Sequence, residues 1–234
     1  MLRRGPRDGA GSSRDATNAL LHDLAAGGWR PAAWAQFLVA AGRRSADQAR
    51  RHPCALAEVT ALHGLFLAAA PPSGRRWISS SWLLTSTHFG LLEDRSHLGP
   101  ADLLSLARGN LPAVVSARHP WLAPLALATD FVDGKLARGT GTTTQFGAYA
   151  DVFADATFWI WFTTDREDGR ILKVTAAATW LLPVAAVTAL SVGRGRMVDA
   201  PRPRWIRPAA TLQVLLTGRA LWRAQQRRRR PAAR

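Results

Sequence analysis

The sequence predicts an all-α fold, a polytopic membrane bundle of about six helices. Three observations carry that expectation. Residues 171–192 form an apolar run of 22 residues with one charge, Lys173, near its start, and that length crosses a bilayer core. Alternation of apolar and polar residues is scarce while Ala and Leu dominate, so strand signals are poor. Trp77, Trp121, Trp159, Trp161, Trp205 and Trp222 sit near the ends of apolar runs, as interfacial aromatic belts do. The mean hydropathy of −0.06 is low for a membrane protein, so composition alone also admits a soluble helical chain.

The remaining elements follow in order. Residues 1–18 carry early arginines with no apolar core behind them, unlike a signal peptide, and read as a disordered cytoplasmic extension. Run 55–70 carries Glu58 and His63, and run 77–92 is broken by Ser79, Ser80 and Ser81. Run 101–116 contains Arg108 and Pro112, and run 121–132 leads into acids. Run 147–163 contains two acids and ends in five aromatic or apolar residues, Phe158 to Phe162, while run 208–222 contains Arg219. The expected organisation is an N-terminal extension over 1–95, a membrane domain over 96–222 and a basic tail over 223–234.

The formal net charge of +15, nearly all of it from Arg, calls for a polyanionic partner. No basic face interleaved with aromatics, zinc spacing or helix-turn-helix pattern is present, which argues against nucleic acid. A basic rim on an anionic lipid membrane fits better, because the arginines lie between apolar runs and in the tail. With Cys54 as the single cysteine, no intrachain disulfide can form, and it reads as a small buried side chain.

The chemistry concentrates between Asp130 and Asp155. Asp130 and Asp133 are three residues apart and share a helical face. Asp151 and Asp155 are four apart on a second helix, with Gly147 one turn earlier on that face. The turn-rich linker 139–146 can fold the two helices into a hairpin and bring four carboxylates together. Such a cluster repels itself unless cations join it, and hard divalent ions prefer carboxylate and phosphate oxygens. Two metals suit phosphoryl chemistry, where they neutralise the transferred group. Lys135 and Arg138 add positive charge for phosphate, and Gly134 and Gly147 permit close approach. The competing reading is a solvated acidic helix pair with ordinary salt bridges, which four acids in apolar surroundings disfavour.

These residues form the pattern D-x2-D-G-x2-A-R-x8-G-x3-D-x3-D, eight specified positions over 26 residues, all present. The pattern resembles the signature of the class I CDP-alcohol phosphatidyltransferases. The resemblance implies a multi-pass helical enzyme of the cell membrane with its site facing the cytoplasm. It would move a substituted phosphate from a CDP-alcohol, usually CDP-diacylglycerol, to an alcohol acceptor and release CMP in phospholipid biosynthesis. Asp130, Asp133, Asp151 and Asp155 would be metal ligands for two Mg²⁺, with Mn²⁺ as a substitute. Asp155 would also be the general base. Gly134, Arg138 and Thr144 would contact the CDP portion. Family members commonly dimerise, so a homodimer is a further expectation. Upstream, residues 99–108 loosely resemble the family's first-span opening, N-x-L-T-x-x-R, and Arg108 resembles members that use glycerol phosphate.

This sequence departs from the family in having about 95 residues before the family-like region and only two apolar runs after Asp155. Placing the aspartates inside puts 164–170 outside and the arginine-rich 193–207 inside, as the positive-inside rule wants. A span at 208–222 would then put the basic tail outside, against the rule. The rival readings are transfer to a non-standard acceptor in a specialised pathway, and a catalytically silent membrane scaffold or CDP-binding protein.

Overall fold

The computed structural model of the chain describes residues 13–139, 144–198 and 206–229, leaving out the side chains at 133, 134, 136–139, 206, 207 and 228. The described residues form nine α-helices and no strand. They are α1 (Ser13–Ala26), α2 (Pro31–Arg51), α3 (Pro53–Ala69), α4 (Pro72–Thr87), α5 (Pro100–Asn110), α6 (Leu122–Gly139), α7 (Gln145–Arg166), α8 (Arg170–Arg194) and α9 (Ile206–Arg229). Single 3₁₀ turns follow α4 at Phe89–Leu91 and α5 at Leu111–Ala113. Four helices, α2 to α5, open with a proline in the first turn, where the missing N–H costs nothing and φ is already helical.

The all-α expectation holds, with more helices than the expected six. Two of the helices, α1 and α2, cover a segment without a long apolar run. Residues 13–18, expected to be disordered, belong to α1, whose Leu21 and Leu24 are buried. The α1–α2 turn places Gly28 and Trp29 at positive φ, 65° and 52°. That turn lets the Trp29 indole donate to the Val192 carbonyl at 3.2 Å, so the N-terminal segment caps the end of α8. The backbone N–H of Met197 donates to the Asn18 side chain at 2.7 Å and adds to this cap.

Helix α7 is the centre of the main core. Phe158, Trp159 and Phe162 are fully buried and pack with Trp180 of α8 and Leu212, Leu216 and Ala220 of α9. Trp159 stacks on Trp180 with centroids 6.2 Å apart. Trp159 is therefore a core residue rather than part of an interfacial belt, because it follows the inward aromatic face of α7. Trp121 and Trp222 are exposed, 60% and 59%. Trp205 lies outside the described residues. Cys54 is exposed, not buried as expected: Ala55 and Val59 turn the inward face of α3 to the core, one position away.

Helix α8 is the one described helix long and apolar enough to cross a membrane. Only 17% of its most apolar window is buried within the protein. Ile171, Val174, Leu181, Leu182 and Leu190 all face outward. A soluble core helix would cover such residues, so an outward apolar face suits a lipid surround.

At the α7–α8 turn, Glu167 is buried between two arginines of α9. Arg219 donates to it at 3.0 Å, and Arg223 donates to both carboxylate oxygens at 2.9 and 2.8 Å. This clamp fixes the direction of α9, and with it the residues that α9 sends toward Asp155.

Candidate active site

Three helices converge on one cluster of charge. Asp130 comes from α6, Asp151 and Asp155 from α7, and Arg108 from α5. One carboxylate oxygen from each aspartate lies within 4.8 Å of the others. The Arg108 Nη2 sits among them, 2.7 Å from Asp151, 3.1 Å from Asp155 and 3.5 Å from Asp130. The arginine side chain is 1% exposed, whereas Asp151 is 47% exposed, Asp130 27% and Asp155 18%. The cation is thus sealed on the protein side while the carboxylates face outward. Among the described residues, three carboxylates gather on one guanidinium and turn toward the open side.

The local sequence explains this convergence. The (i, i+4) spacing puts Asp151 and Asp155 on one face of α7. Gly109 of α5 packs against Ala154, where even an added Cβ would approach its Cα at 3.4 Å, so α5 and α7 run close together. Gly147 is required for a related reason: a Cβ there would meet the Asp102 carboxylate at 2.5 Å. Asp102, buried at the start of α5, accepts from the N–H of that helix's own N-cap, Gly99, at 2.9 Å. The fixed glycine of the sequence pattern therefore permits helix packing at the entrance to the site.

From α9, the buried Gln213 donates to the second oxygen of Asp155 at 3.2 Å. Asp155 is held between Arg108 on one oxygen and Gln213 on the other. A cleft of about 750 Å³ opens beside the cluster between α6 and α9. Asp130, Asp151 and Gln213 line it together with Phe131, Leu127, Val214 and Thr217. A larger hollow, about 860 Å³, lies between α1 and α2 and touches none of these carboxylates.

Of the residues singled out by sequence, Asp130, Asp151 and Asp155 come together. Asp133, Gly134 and Arg138 lie on α6 with side chains outside the described residues. Thr144 is the N-cap of α7, its hydroxyl accepting from the Gly147 N–H at 2.9 Å. Sequence reasoning gave Arg108 no role in the aspartate cluster and missed Gln213 and Asp102 altogether. The signal for Gln213 was a polar residue one turn from Thr217, sharing a face with apolar Leu216 and Ala220; both polar residues are buried.

The oxygen-rich donor set and the adjoining cleft fit a hard divalent cation. The chain matches the family model of the CDP-alcohol phosphatidyltransferases over residues 111–228, half of its length, and belongs to that family. It is an enzyme of the CDP-alcohol phosphotransferase class. The family is known for dependence on divalent metal and is generally integral to membranes. Comparisons with curated proteins and with solved structures return no match.

Proposed function

We propose that this enzyme transfers the phosphatidyl group of CDP-diacylglycerol to an alcohol acceptor, releasing CMP, as a step of phospholipid biosynthesis. The observation that carries this reading is the convergence of Asp130, Asp151 and Asp155 beside a cleft with apolar walls. A lipid-linked nucleotide needs both an acidic cation site for its diphosphate and apolar surface for its chains. The outward apolar face of α8 supports a membrane setting. The expected arrangement is multi-pass with the carboxylates on the cytoplasmic side, which leaves the arginines of 193–207 inside.

Asp130, Asp133, Asp151 and Asp155 are the residues that would hold two Mg²⁺ ions, or Mn²⁺ in their place. Once bound, such cations would offset charge on the phosphoryl oxygens and on departing CMP. The protein's own part has three components. Arg138, Gly134 and Thr144 would receive the CDP portion, with Arg138 suited to paired bonds with phosphate. Asp155 accepts the proton of the acceptor hydroxyl as its oxygen attacks the β-phosphorus. The bond from that phosphorus to the CMP oxygen breaks, and CMP leaves with the electron pair. Gln213 keeps Asp155 turned toward the acceptor by occupying one carboxylate oxygen.

The test is to supply labelled CDP-diacylglycerol and a panel of alcohols to membranes containing the enzyme. The expected result is a new phospholipid formed together with CMP. The panel includes glycerol 3-phosphate, inositol phosphate, serine and phosphatidylglycerol. Metal-dependent CDP binding without turnover on any acceptor would instead favour a silent CDP-binding protein.

A further inference from the structure

Arg108 is the most deeply buried member of the carboxylate cluster, and it lies outside the region that matches the family, which begins at residue 111. Its Nη2 is within 3.5 Å of an oxygen from each of three aspartates. One carboxylate oxygen from each of these aspartates lies within 4.8 Å of the others, so the same three residues would hold a divalent cation. The guanidinium and such a cation would therefore draw on the same carboxylates. Sterics and like charge both prevent the two from keeping the same oxygens.

The segment that carries Arg108 is held firmly. Immediately after it, the Gly109 carbonyl accepts from the Trp77 indole of α4 at 3.0 Å. The next residue, Asn110, is fully buried and bonds His63 of α3 at 3.3 Å. His63 gives its Nδ1 proton to the Val59 carbonyl, so its Nε2 accepts from Ser81 at 3.1 Å and from Asn110. The N-terminal helices thus fix the turn that presents Arg108.

We propose that Arg108 is a resident counter-cation of the carboxylate site, holding the aspartates together and competing with divalent cations for the same oxygens. It is a positioning residue, and the proposal rests on the metal-site reading above. Its consequence is a weakened metal affinity, so that the site fills when the donor diphosphate adds further oxygens.

The test is Mn²⁺ binding to the full-length protein in lipid nanodiscs, without nucleotide, followed by electron paramagnetic resonance. Thermal melting with and without Mn²⁺ accompanies it. Arg108→Gln is expected to bind Mn²⁺ about tenfold more tightly than wild type. It is also expected to melt lower without metal and to recover at saturating Mn²⁺. Arg108→Lys, which keeps the charge but spans fewer oxygens, is expected to fall between the two. If Arg108→Gln does not fold, Arg108→Lys decides alone. Mn²⁺ affinity equal to or weaker than wild type in the decisive variant overturns the proposal, even if that variant melts lower. A wild type that binds no Mn²⁺ overturns the metal-site reading itself, and the proposal with it.

Discussion

Among the described residues, two acid–arginine clusters are built the opposite way round. At the α7–α8 turn one acid, Glu167, meets two arginines, and the carboxylate is 3% exposed. At the candidate active site three acids meet one arginine, and it is the cation that is 1% exposed. The first cluster satisfies its carboxylate completely and seals it, which is the arrangement of a clamp. The second buries its cation and turns Asp130 and Asp151 toward a cleft, which is the arrangement of a cation site. Burial alone would rank them alike; which charge is buried separates them.

The comparison can be broken by experiment. Stripping the enzyme with a chelator should remove all measurable CMP release, and Mg²⁺ or Mn²⁺ should restore it. Glu167→Gln should leave Mn²⁺ affinity unchanged while lowering stability. A fully buried pair that loses one partner costs about 3–5 kcal/mol. Arg219 and Arg223 are partly exposed, so about 2 kcal/mol is expected, read by denaturant or thermal unfolding. If Glu167→Gln instead weakened metal binding, the division between clamp and cation site would fail. Gln213→Leu should lower kcat about tenfold with little change in KM, because it frees the base without touching the donor.

The smallest effect is expected at a ring pair between the end of α4 and α7. His88 follows α4 and stacks on Tyr149 of α7 with centroids 3.9 Å apart. Burial pushes its imidazole below the ordinary value, with an opposing contribution from its bond to the Leu84 carbonyl. The unfolded chain therefore takes up a proton at a higher pH than the folded one. Stability should be full above about pH 6.5 and decline as pH falls below it. His88→Phe should keep the ring stack and flatten that part of the stability–pH profile.

The aspartate positions were legible because helical spacing is short-range: Asp130, Asp151 and Asp155 occupy positions fixed by turns of their own helices. Run 171–192 was legible as α8 for the same reason. The partners from elsewhere were harder to read. Gln213 reaches Asp155 across 58 residues, and no local pattern announces such a contact. Arg108 looked like an interfacial arginine because its burial depends on α4, α5 and α7 packing around it. The tryptophans misled in part: residence at a run's end suits a lipid interface, but Trp159 lies on a helix face that turns inward. Helices α1 and α2 lack long apolar runs, so their order comes from packing against other elements, such as the α1 cap on α8.

The central claim is that the aspartate cluster performs the transfer, and it is tested most directly by CMP release from CDP-diacylglycerol in Asp155→Asn. Removal of a general base typically costs 10²–10⁴-fold, and loss of a metal ligand adds to that. The account predicts a fall of at least about 10³-fold with membrane insertion unchanged. Turnover within a few-fold of wild type would contradict it.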